Sequence, residues 1–155
     1  MPIPDFIVEL RRHIGQRELW LPGVTAVVRR DDELLLVQRA DNGCWGPVTG
    51  ILDPAEEPAV GAAREVQEET GVRVSVDRLA SVAATQRVVH ANGDRAVYLD
   101  LTFSCNWLGG EAHVADDESI DVGWFRVDRL PDVKPELRDR IAAALSGESA
   151  TRFRA

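Results

Sequence analysis

The sequence predicts a mixed α/β domain, with strands on both sides of one central helix and a helix towards each end of the chain. Three observations carry that prediction. Residues 58 to 70, PAVGAAREVQEET, open on proline, are rich in Ala and Glu, and stop before Gly71, as a helix does. Short runs rich in β-branched and aromatic residues precede and follow this stretch, separated by turn formers. The end segments 5 to 14 and 135 to 145 read instead as helices.

Taken in order, residues 5 to 14 place Phe6, Ile7, Leu10 and Ile14 on one stripe of an amphipathic helix closed by Gly15. VTAVVRR (24 to 30) and ELLLVQR (33 to 39) flank Asp31-Asp32 and predict a two-stranded hairpin. DNGCWGPVTG (41 to 50) is dense in turn formers, and Pro47 with Gly50 predicts irregular structure there. After the central helix come three β-like runs: VRVSV (72 to 76), roughly 79 to 89, and AVYLDLTFSCNWL (96 to 108). Asn92-Gly93 supplies a hairpin turn between the last two. VGWFRV (122 to 127) is a further short strand, and PELRDRIAAAL (135 to 145) a closing helix.

With 155 residues, 45% apolar and 28% charged, the chain reads as one domain over residues 1 to 155, of which 1 to 16 form a helical extension. A net charge of −8 repels a nucleic-acid backbone, which argues against a nucleic-acid partner. No run of about 18 apolar residues and no basic-then-apolar leader occurs. The expectation is therefore a cytoplasmic protein with no membrane partner. Cys44 and Cys105 lie far apart without CxxC spacing and read as reduced thiols. His13, His90 and His113 have no partner at metal-ligand spacing.

The charge is unevenly spread. Asp53 to Glu69 holds six carboxylates and one arginine. Glu65, Glu68 and Glu69 are spaced i, i+3 and i+4 and share one helix face, with Ala59, Ala63, Val66 and Thr70 on another side for packing. Like charges at that spacing destabilise a helix by a few tenths of a kcal/mol per pair, so something must offset them. A hard divalent cation does, since Mg²⁺ and Mn²⁺ take oxygen ligands and leave positions for water and phosphate.

The stretch reads Gly50, five residues, Glu56, seven residues, Arg64-Glu65, Val66, one residue, Glu68-Glu69, one residue, Gly71, Val72. It resembles the Nudix box, G-x5-E-x7-R-E-U-x-E-E-x-G-U with U apolar, at every specified position. The strands before it, Trp45-Gly46-Pro47, and the later acidic turn followed by GWFRVDRLP are similar in order to MutT-like Nudix domains over most of the chain. The resemblance implies an α/β/α sandwich with a mixed β-sheet and a central catalytic helix. It also implies a Mg²⁺- or Mn²⁺-dependent hydrolase whose partner is a small-molecule nucleotide. Carried over by position, Glu65, Glu68, Glu69 and the Thr49 carbonyl are metal ligands, and Glu65 is also a candidate base for the attacking water. Arg64 orients the glutamates, and Glu118 is a further ligand or base. Arg39 and Trp45 are placed to contact substrate. Glu56 holds the loop against the helix.

The chain departs from the common family pattern G-G-x-x-E-x-G-E at Thr49, Asp53 and Ala55. Arg87 and Val88 stand where ADP-ribose hydrolases of the family commonly carry proline, and the chain's only tyrosine is Tyr98. By elimination the resemblance points to a nucleoside triphosphate hydrolase giving nucleoside monophosphate and pyrophosphate. The alternatives are a hydrolase of ADP-ribose, other nucleotide sugars or dinucleotides, and a non-catalytic nucleotide sensor. The apolar stripe on the first helix adds the expectation of a homodimer.

Overall fold

β1 (Leu19–Arg30) is the axis of the molecule. In the computed structural model, which describes residues 3–155, it pairs parallel with β7 (Arg95–Gly109) along one edge. On the other edge it pairs antiparallel with β4 (Val48–Ile51) and, at its far end, with β2 (Glu33–Arg39). β2 carries β3 (Trp45–Gly46) and β8 (Ser119–Arg126), and β7 carries β5 (Arg73–Ala84) and the two-residue β6 (Val88–Val89), all antiparallel. The result is one mixed sheet.

Alternation along β1 sends neighbouring side chains to opposite faces, and each face receives a helix. Val24, Ala26 and Val28 pack with Ala62 and Val66 of α2 (Pro58–Thr70), together with Leu35, Val37, Val48 and Leu52. Val27 packs instead with Ile141, Ala143 and Ala144 of α3 (Pro135–Leu145). α1 (Asp5–Ile14) seats Ile7 against Leu21 and Ala96. This is the α/β/α sandwich expected. Among the described residues no helix is long and apolar enough to cross a membrane.

The departures from expectation lie in the strands. Residues 41 to 50 are not irregular throughout, because β3 and β4 form on either side of Pro47. Pro47 has no N–H to give a ladder and so sits between the strands rather than in one. The runs expected at 72 to 76 and from 79 merge into one strand, β5, which absorbs irregularities between Val76 and Arg78 and between Leu79 and Ser81. β1 starts at Leu19 and β8 at Ser119, earlier than their apolar cores suggest. Cys44 and Cys105 are free thiols, and burial pushes that of Cys105 up to about 12.

Candidate active site

The helix that carries the glutamates does not keep them on a solvated face. α2 buries Gly61, Ala62, Glu65, Val66, Glu69 and Thr70, so its inner sector is rotated towards the acids and away from Ala59 and Ala63. Glu65 is 0% exposed and Glu69 3%, whereas the Glu68 side chain remains 43% exposed. Gly50 makes room for this. A Cβ there would stand 2.1 Å from Glu65 Cδ, so only glycine lets the carboxylate lie against β4.

Arg64 is the hub of the cluster. Its Nε and Nη2 donate to the two oxygens of Glu56 at 2.7 and 2.9 Å, and its Nη1 donates to Glu65 Oε1 and Glu68 Oε2, each at 2.9 Å. Glu56 Oε2 also accepts the Asp53 N–H at 3.0 Å, which ties the β4–α2 loop to the helix. These contacts hold the Glu56 carboxyl below its ordinary range and push the Arg64 guanidinium up.

The two buried acids behave oppositely to Glu56. Burial pushes Glu65 up to about 7 against the pull of Arg64, with Glu118 and Glu68 adding repulsion. Burial pushes Glu69 up to about 9, reinforced by Glu118, Asp116 and Glu65 and only partly countered by Arg39. Glu65 Oε2 and Glu69 Oε1 are buried without a hydrogen-bond partner. Unmet carboxyl oxygens suit a hard dication, whose charge favours their ionised form. Among the described residues no three of His, Cys, Asp and Glu form a ready-made cage.

Of the expected residues outside the helix, Glu118 and Arg39 lie near enough to act electrostatically on Glu69, while Trp45 and Thr49 line the groove that Arg39 and Glu118 also line. Glu118 precedes β8, its N–H donating to Asp116 Oδ1 at 3.0 Å and its carbonyl accepting from Ala40 N–H at 2.8 Å. It is close enough to raise both Glu65 and Glu69. Arg39 is held by Asp41 through two hydrogen bonds of 3.0 and 2.9 Å. Trp45 meets the Phe125 ring edge-on with centroids 4.8 Å apart, so it serves packing while also facing the groove. His113 lies over the left-handed Gly71 that caps α2, where a Cβ would come within 2.2 Å of its ring. Its neighbours there are main-chain groups, Nδ1 lying 2.9 Å from the Glu111 carbonyl.

Ala55 has φ 65°, the left-handed region, at the loop position where the common family pattern has glycine. That conformation costs an L-residue about 1–2 kcal/mol, partly offset by glycine's greater unfolded freedom. Ala55→Gly is therefore expected to stabilise the protein by up to about 1 kcal/mol, read as a raised urea midpoint at unchanged m-value.

An open groove of about 1670 Å³ passes Arg39, Trp45, Thr49, Gly50 and Glu118 and continues across the sheet to the C-terminal segment. Its floor carries a polar network that no local spacing announces. Asp100 Oδ1 accepts from Thr25 Oγ1, and Oδ2 from Thr102 Oγ1, each at 2.7 Å. Arg140 of α3 reaches Asp100 Oδ1 at 3.1 Å and donates to Thr25 at 2.9 Å.

Residues 19–145 match the NUDIX domain family. A MutT-like protein of Streptomyces ambofaciens is 39% identical over 122 residues, covering 78% of this chain and 73% of that protein. The NAD-capped RNA hydrolase NudC of Stutzerimonas stutzeri (strain A1501) is 31% identical over 112 residues, covering 71% of this chain but 38% of NudC, so the chain spans well under half of that relative. Among solved structures, an ADP-ribose pyrophosphatase from Streptococcus suis 89-1591 superposes with a TM-score of 0.63 at 26% identity, covering 85% of this chain and 96% of that one.

Proposed function

The chain belongs to the NUDIX family, and from that premise we propose that it is a divalent-metal-dependent pyrophosphohydrolase of nucleotides, splitting a nucleoside triphosphate into monophosphate and pyrophosphate. The observation that carries the reading is the pair of buried carboxylates, Glu65 and Glu69, each with an oxygen that no protein group satisfies. Glu65 and Glu69, with Glu68 and the Thr49 carbonyl at the rim, are the residues that would hold Mg²⁺ or Mn²⁺. The bound ion supplies neutralisation of phosphate charge and a more acidic water.

The chain's own residues then have separable tasks. Arg64 fixes the rotamers of Glu56, Glu65 and Glu68 through four charge-assisted hydrogen bonds, so the acids are positioned before substrate arrives. Glu65 and Glu118 are the two candidates to take the proton of the attacking water. Arg39 faces the groove and contacts phosphate or base.

A phosphate-release screen of nucleoside triphosphates, dinucleotides and nucleotide sugars with Mg²⁺ and Mn²⁺ tests the proposal. Monophosphate plus pyrophosphate is the expected outcome from a triphosphate. Orthophosphate alone would indicate attack at the terminal group and sink the reading. Arg39→Ala is expected to raise KM by about tenfold or reorder substrates while leaving the metal requirement intact, because it removes a positioning contact and not the nucleophile. An unchanged KM for every substrate removes Arg39 from the site.

One observation favours a second substrate reading. Thr49, Thr25, Thr102, Ser81 and Arg152 form one row across successive paired segments. Four such steps at about 4.8 Å span roughly 19 Å. A groove of that reach suits a nucleoside diphosphate carrying a second bulky group, of the kind hydrolysed by the ADP-ribose pyrophosphatase it resembles.

A further inference from the structure

Phe153 is 75% exposed, more than any other large hydrophobic residue described. Such a side chain on a loose end needs no explanation, but its backbone is not loose. The Arg152 N–H donates to the Ala80 carbonyl at 2.9 Å, and the Val82 N–H donates to the Arg152 carbonyl at 3.0 Å, so the segment lies parallel to β5 as an added bridge. Thr151 Oγ1 donates to the Leu79 carbonyl at 2.9 Å, and Arg152 is clamped to Glu148 through two hydrogen bonds of 2.8 and 2.9 Å. Four anchors therefore present one unburied ring, and Thr151 to Arg154 line the same groove as Thr49 and Gly50.

The other groove rings are already engaged. Trp45 stacks edge-on with Phe125, and Tyr98 is hydrogen-bonded to His90 at 3.0 Å. Among the described residues the Phe153 ring has no aromatic partner. A fixed, solvent-facing ring is a platform for another planar ring, because offset stacking covers both faces without demanding a particular hydrogen-bond pattern. The platform lies outside the span matched by the family and across the sheet from Thr49.

We propose that the segment Thr151–Arg154 forms a distal subsite in which Phe153 stacks on a planar ring at the far end of a two-headed nucleotide substrate. The inference rests on the second substrate reading above. Arg154 beside it adds a positive charge suited to a phosphate or a base edge. The subsite selects substrate and takes no part in breaking the bond, since it stands about four strand spacings from Thr49.

The test compares a dinucleoside diphosphate, which carries a second base, with an adenosine diphosphate sugar, which does not. In Phe153→Ala the ratio of kcat/KM between the two is expected to fall by about 5- to 100-fold, mainly through KM of the dinucleoside substrate, and Phe153→Tyr should restore it. A purely structural role for the ring lowers both substrates together and leaves the ratio unchanged, which overturns the proposal. If the wild-type protein turns over neither substrate, the hydrolase reading fails separately. The same ratio, taken from calorimetric Kd values for the two compounds, still decides the subsite: loss of the dinucleoside preference in Phe153→Ala supports it, and an unchanged ratio rejects it.

Discussion

Glu69→Gln is expected to lower turnover by at least about 10²-fold while making the metal-free protein more stable at pH 8. The two effects share one cause. Glu69 is 3% exposed, burial and the neighbouring Glu118, Asp116 and Glu65 push it up to about 9, and one of its oxygens has no partner. Below the ordinary carboxylate value near 4.5, folded and unfolded chains both hold the proton and the residue contributes nothing to the pH dependence. Above it the unfolded chain releases a proton that the folded chain keeps, so stability falls as pH rises, levelling off only past about 9. Glu65 acts in the same sense up to about 7. Each group contributes a slope of at most about 1.4 kcal/mol per pH unit. Urea titrations in chelator at pH 5 and pH 8 should show the wild type weaker at pH 8 and Glu69→Gln with a smaller difference. A variant that keeps near-normal turnover, or a wild type equally stable at both pH values, contradicts the assignment of Glu69 as a buried carboxyl at the proposed cation site.

Arg64→Ala is the second large effect, and here fold and activity fall together. The side chain bonds Glu56, Glu65 and Glu68 and is 24% exposed, while its partner Glu65 is 0% exposed. Removing one member of such a pair leaves the other charge buried and uncompensated, at a cost of about 3–5 kcal/mol. Glu65 then loses its main opposing pull and moves further towards the protonated form, while the loop held through Glu56 and Asp53 loses its tie to α2. Arg64→Lys keeps the charge but cannot span the fork, so it should recover part of the stability and little of the activity. Chemical denaturation beside steady-state rates measures both; a loss below about 1 kcal/mol in Arg64→Ala would mean that the hub is a solvated surface cluster.

Much of this was legible in the chain. The helix at 58 to 70 was readable because its start, its stop and its Glu spacing are local properties. The hairpin around Asp31-Asp32 and the closing helix at 135 to 145 were readable for the same reason. β4 was not, since Pro47 and Gly50 argue against a strand and only pairing with Gly23 to Ala26 of β1 makes one. Local propensity lost there to a ladder formed with distant residues.

What the sequence determined by itself was the chemistry on offer: which carboxylates cluster, their helical spacing around Arg64, and hence the expectation of a cation. What only the tertiary structure decided was which of those acids are buried. The i, i+3, i+4 spacing puts Glu65, Glu68 and Glu69 on one helix face, yet Glu65 and Glu69 lie inside and Glu68 outside. The choice comes from Gly50 leaving a space on β4 and from the segment before β8 crossing the end of α2, where the Ala115 N–H donates to the Glu69 carbonyl at 3.1 Å. The Asp100–Arg140 network and the anchored Phe153 were likewise invisible beforehand, because Asp100 and Arg140 are 40 residues apart and Arg152 and Ala80 are 72 apart, and helical or strand periodicity carries no record of such distances. Burial sets desolvation, desolvation sets which group holds its proton, and burial is a property of the packed chain alone.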